Sequence, residues 1–405
     1  MSETLPRDAV VAGGGLAGGL AALALARLGL SVTLVEARAP AARGGSDGRS
    51  ISLSLASLRV LEALGIGEAL AAVSQPITSV HISEAGHFGR LRFSAREMGV
   101  PVLGRVVPAE PLLAGIMEAA LEAGVQRLSP ATVEAAPLAA DGTTRTVMVN
   151  GADTTESVPT KLLLVADGGG SALRGALGIE HREHRYKSVA LVTTARATHP
   201  QPGVAYERFT PQGTLAILPR AGDRVGVVWT VPEADAATLA ELPAEDFLTR
   251  VADAMGGRLG TLHPVAAVRH FPLSASHALT QTTARAIVIG NAAHSLHPVA
   301  AQGFNLSVRD IAVLAECLND ARTDVGDSAA LARYAERRRR DQARTRGYTD
   351  FVRNLGDLTA APAAPARALG LLTTEFTRPL ARALARQGMG LAPRPLPAWI
   401  RGVRW

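Results

Sequence analysis

The first 36 residues alternate between short apolar runs and one long apolar stretch, a pattern that predicts strand, helix and strand in that order. Residues 9–12 are all apolar, as in a buried parallel strand. A stretch rich in alanine and leucine follows to about Leu28, where Gly29 is placed to end a helix. Residues 31–35 are rich in β-branched side chains and predict a second strand, which ends at Glu36.

Glycine residues mark the turn between this strand and helix. Residues 13–18, Gly-Gly-Gly-Leu-Ala-Gly, match the pattern G-x-G-x-x-G. Gly13 permits a tight turn, Gly15 lets the backbone approach a pyrophosphate, and Gly18 lets the helix pack closely on the strand. The pyrophosphate would lie at the positive end of the helix, and Glu36 would accept hydrogen bonds from the ribose. A glycine-rich turn without a ligand leaves Glu36 unexplained, so we predict a dinucleotide site.

Composition and charge limit the classes of protein to which this chain can belong. The 405 residues are 47% hydrophobic and 19% charged, which is typical of a folded protein of two or three domains. The net charge of +6 is spread along the chain apart from the run at 337–340, which we interpret as a solvated helix face, so we expect no nucleic-acid partner.

Residues 9–26 lack charge and resemble a signal peptide or membrane span, but the glycine pattern favours the nucleotide site. Cys317 is the single cysteine, which excludes a disulfide within the chain and fits a cytoplasmic protein.

Two later segments distinguish FAD from NAD. Residues 161–168 predict an apolar strand that ends in Asp167 and Gly168. Residues 286–289 predict another strand, which turns at Gly290 and Asn291 and continues as G-N-A-A-H-x-x-H-P-x-x-x-Q-G-x-N-L. With these motifs the chain resembles the class A flavoprotein monooxygenases, the fold group of p-hydroxybenzoate hydroxylase. It is most similar to the ubiquinone-biosynthesis hydroxylases that act on polyprenylated phenols, in particular the 2-polyprenyl-6-methoxyphenol hydroxylases.

The resemblance implies a fold and its division. We expect an α/β protein with a Rossmann-like FAD-binding domain of the p-hydroxybenzoate hydroxylase type, an inserted antiparallel β-sheet substrate domain and a C-terminal helical region. The FAD-binding domain is expected at 1–75, 101–180 and 270–325, the substrate domain at 76–100 and 181–269, and the helical region at 326–405. Strand-like runs at 189–195, 215–219 and 225–230, separated by polar turns, support the antiparallel sheet.

The resemblance also implies how the cofactors bind. Only one complete dinucleotide fingerprint is present, so we expect NAD(P)H to be a transient reductant without a Rossmann domain of its own. Asn291 stands where the family usually has aspartate, which keeps an acceptor oxygen but loses the charge. The positions expected to hold FAD are Gly13, Gly15, Gly18 and Glu36 at the ADP half, Arg49 and Arg105 near the flavin, Asp167 and Gly168 at the element shared with NAD(P)H, Gly290 and Asn291 at the ribityl and pyrophosphate part, and Gly303, Phe304 and Asn305 against the isoalloxazine.

The implied reaction is hydroxylation of the ring of a polyprenylated phenol with NAD(P)H and O2, through a C4a-hydroperoxide of the flavin. A base that ionises the phenol would speed the attack, and His294 and His297 are the nearest candidates for a catalytic role, with ordinary packing at the flavin turn as the alternative. No acidic or cysteine ligand lies near these histidines in the sequence, so we expect no metal site. Two other functions stay open: a flavoprotein hydroxylase, epoxidase or reductase for another aromatic or isoprenoid substrate, and a flavin-stabilised, low-turnover subunit of a ubiquinone-biosynthesis complex.

Delivery of a long prenyl tail requires contact with a membrane. Residues 367–386 mix leucine and phenylalanine with arginine, as in a basic amphipathic stretch that lies on anionic lipid. Pro379 interrupts the stretch, and packing against the FAD-binding domain fits the pattern equally well. We therefore expect a cytoplasmic protein that contacts the inner face of the membrane peripherally or joins a ubiquinone-biosynthesis complex.

Overall fold

The computed structural model describes residues 5–39, 49–151, 154–357, 363–392 and 395–403. The strands in these ranges, in chain order, are β1 Arg7–Ala12, β2 Val32–Val35, β3 Ser50–Ser54, β4 Gln75–Ile77, β5 Ser79–Glu84, β6 Arg90–Ser94, β7 Gly104–Pro108, β8 Gln126–Leu128, β9 Ala131–Ala135, β10 Arg145–Gly151, β11 Thr155–Val165, β12 His181–Ala197, β13 Val204–Thr210, β14 Gly213–Pro219, β15 Arg224–Pro232, β16 Leu262–Pro264, β17 Arg269–Ala278, β18 Thr282–Thr283, β19 Ala286–Val288 and β20 His294–Ser295. The α-helices are α1 Leu16–Arg27, α2 Leu55–Ala63, α3 Gly67–Val73, α4 Ala95–Met98, α5 Ala109–Glu122, α6 Ala172–Ala176, α7 Glu233–Ala240, α8 Ala244–Ala254, α9 Gly303–Asn319, α10 Ser328–Asp357, α11 Ala363–Phe376 and α12 Arg378–Gly388. None of the helices described there has the length and apolar character that crossing a bilayer requires.

The first sheet has a parallel core, with the order β18-β19-β11-β1-β2-β8. Neighbouring strands from β19 to β8 run parallel, and β18 is antiparallel at the edge. β9 and β10 form an antiparallel extension on the first half of β11. Helices α1, α5 and α9 pack together against this sheet. Because the central strands are covered by protein on both faces, they are apolar without alternation, as residues 9–12 predicted.

The second sheet contains the inserted strands, in the order β20-β17-β12-β15-β14-β13-β5-β6, with β16 on β12. All neighbours are antiparallel except β13 and β5, which run parallel. One face packs on α7 and α8 around Trp229 and Phe247, and the other face lines a cavity. The predicted fold class, a parallel α/β layer with an inserted, largely antiparallel sheet and helices at the C-terminal end, is confirmed.

One predicted domain boundary falls inside a strand. The boundary between residues 269 and 270 falls inside β17, which pairs with β12 and therefore belongs to the second sheet throughout its length. The short strand β20 returns to the same sheet beside β17. Local patterns did not show this, because the partner of β17 lies some eighty residues earlier in the chain. The division of the chain into domains stays a prediction.

A third, small antiparallel sheet of β3, β7 and β4 contacts both α9 and β14. Helix α2 follows β3 directly, and Ser54 caps it by accepting a hydrogen bond from the backbone N–H of Ser57. At the C-terminal end, α10 packs along α9, while α11 and α12 pack against each other and against β6. The C-terminal helices thus contact both larger sheets or the helices that cover them.

Buried ion pairs join α9 to α10. Arg309 lies 2.9 Å from Asp341, and Arg338 lies 2.5 Å from Asp310 and 2.6 Å from Asp341. All four side chains are almost completely buried. Burial alone would raise the pKa of Asp310, but the charges of Arg338 and His294 hold it well below its usual range. Because a buried charge without its partner is costly, these pairs hold the start of α9 in one position against α10.

Candidate active site

A cleft of about 950 Å3 opens at the carboxyl ends of β1, β2 and β11. Parallel α/β sheets bind their ligands at this edge, where the strand order changes direction. We call it the glycine cleft, and its polar and glycine lining includes Gly13, Gly14, Gly15, Glu36, Arg49, Asp167 and Gly168. Six of the predicted FAD positions therefore line one cleft, although they come from distant parts of the chain.

Gly13, Gly15 and Gly18 of the first turn are glycine for different reasons. A Cβ at Gly13 would lie 2.4 Å from the carbonyl oxygen of Ala166, and one at Gly18 would lie 1.8 Å from the carbonyl oxygen of Gly13. The fold itself therefore demands glycine at both positions. A Cβ at Gly15 would meet nothing within 4 Å. The packing of the chain gives no reason for glycine there, so the space beside Gly15 is free for a ligand.

The N-terminus of α1 points into the same space, and no side chain caps its backbone N–H groups by accepting a hydrogen bond. Gly15 is the N-cap, no side-chain cap hydrogen bond is formed, and the first turn carries no acidic residue. The free backbone N–H groups of a helix N-terminus, together with its dipole, favour an anion such as a pyrophosphate. This end of α1 is therefore suited to binding phosphate.

Glu36 closes the cleft at the end of β2. Its carboxylate accepts hydrogen bonds from the backbone N–H groups of Gly14, at 2.6 Å, and Arg38, at 2.9 Å. The side chain is 9% exposed. A carboxylate that lines the cleft at the end of the second strand is the group expected to accept hydrogen bonds from the hydroxyls of a ribose.

A second cavity, of about 420 Å3, lies between the open face of the second sheet, β3 and the start of α9. The glycine cleft and this cavity lie next to each other at the start of β3, because Arg49 lines the cleft and the next residue, Ser50, lines the cavity. Gly303 at the first turn of α9 has open space beside it, and α9 has no side-chain cap. We call this the apolar cavity, and residues that line it include Ile82, Glu207, Leu218, Phe304, Tyr348 and Leu384.

The side-chain amide of Asn305 joins β3 to the start of α9. Its Oδ1 accepts hydrogen bonds from the backbone N–H of Ser54 and the hydroxyl of Ser57, at 2.8 and 2.7 Å. Its Nδ2 donates to the carbonyl oxygens of Ser52 and Ala301, at 2.8 and 2.7 Å. The amide makes all four of its hydrogen bonds within the protein, so it joins β3 to α9 and has none left for a flavin ring. All three predicted positions, Gly303, Phe304 and Asn305, line the apolar cavity.

The turn before α9 has a strained backbone. Ala300 and Ala301 have φ angles of 59° and 49°, in the left-handed region that residues with a Cβ rarely adopt. Each such residue costs about 1–2 kcal/mol. Strain of this kind concentrates at ligand-binding sites. Both alanines line the apolar cavity, so the strain is consistent with a turn shaped for a ligand.

Gly290 and Asn291 lie where the third predicted segment reaches the first. Gly290 has a φ of 61°, and a Cβ there would lie 2.7 Å from the Cβ of Ala17 in α1. Asn291 follows it and is exposed. The turn after β19 therefore packs against the start of α1, close to Gly15.

The guanidinium of Arg105 is hydrogen-bonded to residues at the end of α3. Its Nε donates to the hydroxyl of Ser74 at 2.5 Å, and its Nη2 donates to the carbonyl oxygens of Ala71 and Ser74 at 3.2 Å. Within the described ranges it lines neither cavity. Its guanidinium is directed to the carbonyl groups at the end of α3, so the structure gives no support to the predicted flavin contact.

The two predicted catalytic histidines have the contacts of packed side chains. Nε2 of His294 lies 2.5 Å from Asp310 in the ion network, and the residue is 2% exposed. Nδ1 of His297 accepts a hydrogen bond from the backbone N–H of Val299, and its ring packs edge-on against Tyr186. Burial, with the charge of Arg353, lowers the pKa of His297 to about 4. Neither histidine is among the described residues that line the two cavities, so their catalytic role stays a prediction without geometric support.

Sequence reasoning missed Glu207, the carboxylate of the apolar cavity. It lies on β13 with its side chain in the cavity wall. Burial raises the pKa of the Glu207 carboxyl to about 7. The signal was present in Val204–Thr210, because Ala205, Glu207 and Phe209 share one face of the strand and place a charge between two apolar residues.

Comparison with known proteins agrees with this arrangement. A family model described as an FAD binding domain matches residues 7–346. The chain is 35% identical to the ubiquinone hydroxylase UbiL of Rhodospirillum rubrum, covering 98% of this chain and 93% of that protein. It is 29% identical to the 3-demethoxyubiquinol 3-hydroxylase of Escherichia coli, covering 95% and 99%. The solved structure of p-nitrophenol 4-monooxygenase PnpA from Pseudomonas putida matches with a TM-score of 0.80 at 16% identity, covering 96% of this chain and 99% of that one, a likeness that shows the fold alone.

Proposed function

The chain belongs to the family of FAD-dependent monooxygenases that share this FAD-binding domain, and we propose that it hydroxylates the ring of a polyprenylated phenol in ubiquinone biosynthesis, using NAD(P)H and O2. The observation that carries this proposal is that the glycine cleft and the apolar cavity are neighbours at the start of β3, where Arg49 lines the one and Ser50 the other. The cleft offers backbone N–H groups and an acid to a nucleotide, and the cavity offers an apolar space to an aromatic ring. A flavin nucleotide that spans both would have its reactive ring beside the substrate.

The residues of the glycine cleft fit the ADP half of FAD. The space beside Gly15 and the uncapped end of α1 suit the pyrophosphate, and Glu36 suits the ribose. Gly303, at the uncapped end of α9, suits the flavin ring, because the positive end of that helix favours negative charge on it. When bound, FAD carries the reducing equivalents of NAD(P)H and activates O2, chemistry that amino-acid side chains do not supply.

The apolar cavity is suited to binding the aromatic ring of the substrate and to excluding water from it. At about 420 Å3 it has the size of a site for a small aromatic compound, and most of its lining is aliphatic or aromatic. Such walls hold the ring in place and exclude water, which protects a reactive oxygen species from wasteful decay. Leu384 and Gly388 of α12 form one wall, so this helix separates the cavity from the outside of the protein.

Product analysis tests the proposed reaction. The FAD-loaded enzyme would be incubated with a short-chain 2-prenylphenol, either NADH or NADPH, and isotopically labelled O2. We expect a ring-hydroxylated phenol that is one oxygen atom heavier and carries the label, identified by mass spectrometry. NAD(P)H oxidation that yields only hydrogen peroxide with every prenylphenol tried would overturn the proposal, and an epoxide on the prenyl chain would assign the enzyme to a different reaction.

The proposed substrate also requires contact with lipid, and an exposed apolar patch supplies a surface for it. Phe88, in the turn between β5 and β6, is fully exposed, and Phe376 at the end of α11 is 78% exposed. The turn packs tightly on α11, since a Cβ at Gly89 would lie 2.1 Å from the carbonyl oxygen of Ala368. We define the apolar patch as Phe88, Leu369, Leu372, Phe376 and Leu380, all of which are exposed.

Arginine residues surround the apolar patch. Arg378 and Arg382 lie on the exposed side of α12, and Arg90 and Arg92 lie on the exposed side of β6. An apolar surface with a cationic rim suits the headgroup region of a bilayer that contains anionic lipid. Because the other side of α12 lines the apolar cavity, a prenyl tail has a short route from the bilayer to the ring site.

Vesicle co-sedimentation tests the membrane contact. We expect the full chain to pellet with phosphatidylcholine vesicles that contain phosphatidylglycerol. The double variant Phe88→Gln/Phe376→Gln should pellet at least about tenfold less, since each buried aromatic side chain contributes roughly 1.5–3 kcal/mol. Arg378→Gln with Arg382→Gln should weaken binding about 30-fold on anionic vesicles, at about 1 kcal/mol per arginine.

The control for this experiment is Leu121→Gln, which makes a similar change at an exposed position on α5, outside the apolar patch. This variant should pellet like the unmodified chain. Equal pelleting of all variants, or pelleting that the patch substitutions leave unchanged, would remove the apolar patch from the proposal.

A further inference from the structure

One carboxylate, that of Glu207, lies in the wall of the apolar cavity. Its register neighbours are Ile82 on β5 and Ala216 on β14, and both are apolar. Among the described residues that line this cavity, Glu207 is the single charged side chain. The second sheet therefore places a carboxylate in the wall of the apolar cavity, and no positively charged side chain among the described lining residues compensates its charge.

The carboxylate of Glu207 also lacks a hydrogen-bond partner. Its Oε1 is shielded from solvent and has no partner among the described residues. Buried polar groups are normally hydrogen-bonded, so an exception calls for an explanation. Glu84, on the neighbouring strand β5, shows the normal case, because Arg367 donates to both of its oxygens at 2.7 and 2.8 Å. The protein provides a partner for one carboxylate of this sheet and leaves the other open to the cavity.

Two tyrosines are the other ionisable side chains in the described lining. Tyr206 is next to Glu207 on β13, and its ring lies against His81 at 5.5 Å between centroids. Tyr348 extends from α10, and burial, followed by the charge of Glu207, raises its pKa. Both phenols are neutral near neutral pH, so neither compensates the carboxylate. Burial accordingly raises the pKa of Glu207 to about 7, in the range where a carboxylate acts well as a general base.

We propose that Glu207 takes the proton of the substrate's ring hydroxyl, an assignment that rests on the function proposed above. The O–H bond of the phenol breaks, the proton passes to the carboxylate, and the electron pair stays on the phenol oxygen. Delocalisation of that pair raises the electron density at the ring carbons ortho and para to it, one of which receives the oxygen atom. The ring carbon that has received the hydroxyl group then loses its own hydrogen to the solvent as a proton, which restores the aromatic ring. The carboxylic acid returns the first proton to the phenol oxygen, so Glu207 ends the step ionised as it began.

The first test compares pH profiles of kcat/KM for hydroxylation of a 2-prenylphenol. In the unmodified enzyme we expect kcat/KM to rise with pH through about 7, because Glu207 must be ionised to accept a proton. In Glu207→Gln this rise should disappear and the plateau should fall by about 100-fold, the usual contribution of a general base. Glu207→Asp should retain the pH-dependent rise with a smaller loss. The same change at an exposed strand position, Glu156→Gln, should leave the profile unchanged.

The second test varies the acidity of the phenol. Electron-withdrawing ring substituents, up to a nitro group, produce phenols that are already ionised at the assay pH and need no base. The ratio of kcat/KM between the unmodified enzyme and Glu207→Gln should therefore shrink toward one as the phenol becomes more acidic. A side chain that only maintained the shape of the cavity would give a constant ratio.

The outcomes separate the two proposals. An unmodified enzyme that hydroxylates phenols, together with a Glu207→Gln variant of equal kcat/KM or a ratio independent of phenol acidity, overturns the role of Glu207 alone. A kcat/KM that falls as pH rises through about 7 does the same, since it requires the protonated acid. An unmodified enzyme that hydroxylates no phenol removes both. Flavin content, measured by absorbance, should be the same in all variants, because the substitutions leave unchanged the glycine cleft that would hold the ADP half of FAD.

Discussion

The contrast between Gly15 and Gly18 gives the sharpest test of the glycine cleft. Replacing Gly15 with alanine places a methyl group where the chain leaves at least 4 Å of free space. Its backbone, with φ −72° and ψ −174°, is one that alanine adopts without strain. We therefore expect Gly15→Ala to fold normally, with a change in the free energy of unfolding within about 1 kcal/mol, as alanine is a somewhat poorer N-cap than glycine.

The loss should appear in FAD binding instead. If the pyrophosphate approaches the backbone at Gly15, the added methyl group occupies the space that it needs. Loss of one hydrogen bond to a charged phosphate costs about 1.5–3 kcal/mol, which raises Kd by roughly 10- to 100-fold. Titration of the FAD-free protein with FAD, followed by flavin fluorescence, measures this Kd, and circular dichroism confirms the fold of each variant.

Two companion variants make the result specific. Gly18→Ala should damage the fold itself, because its Cβ would lie 1.8 Å from the carbonyl oxygen of Gly13, a backbone atom. Gly347→Ala, within α10 and with nothing within 4 Å, should bind FAD normally and gain about 0.5–1 kcal/mol of stability. A folded Gly15→Ala variant that binds FAD as tightly as the unmodified chain would refute the placement of the pyrophosphate.

Two further predictions concern buried charges. Asp310→Asn leaves Arg338 and His294 without their shared partner and should lower the free energy of unfolding by about 3–5 kcal/mol. Urea denaturation measures this loss as a lower midpoint concentration. A loss below about 1 kcal/mol would contradict the importance of the network. Because the pKa of Glu207 is raised in the folded state, from 4.5 to about 7, its ionisation destabilises the fold as pH rises through that window, by up to about 3 kcal/mol. Ligand-free Glu207→Gln should therefore melt at a higher temperature than the unmodified chain at about pH 8 and at the same temperature at about pH 4, and equal melting at both would show that the carboxylate is not buried.

The parts of the fold that the sequence predicted are those encoded within short windows. Strand β1, the glycine turn, helix α1 and strand β2 follow one another without a break, and Glu36 comes directly after β2. Their periodicity and their turn residues therefore predict these elements without knowledge of the rest of the chain. The same holds for β12, β14 and β15, whose apolar runs are bounded by polar turns.

The sequence says less where a residue's role depends on partners that are distant in the chain. Asn305 is part of a recognisable motif, but its amide is consumed by residues of β3 and the start of α2, some 250 positions earlier. Arg105 lies on a strand of the small sheet, and its guanidinium finds acceptors at the end of α3. Side-chain direction and hydrogen-bond partners follow from the tertiary fold, which the motif alone does not contain.

The acid–base groups of the site show the same limit in chemical terms. A histidine is the usual prediction for a base because its ordinary pKa lies near neutrality, whereas the ordinary pKa of glutamate lies far below it. The fold reverses these expectations, because burial lowers the pKa of His297 to about 4 and raises that of Glu207 to about 7. Both shifts have one cause, the unfavourable burial of charge, which acts in opposite directions on a cation and an anion. A search for acid–base groups in related chains should therefore begin with carboxylates whose strand neighbours are all apolar, since these positions bring a carboxyl pKa to neutrality.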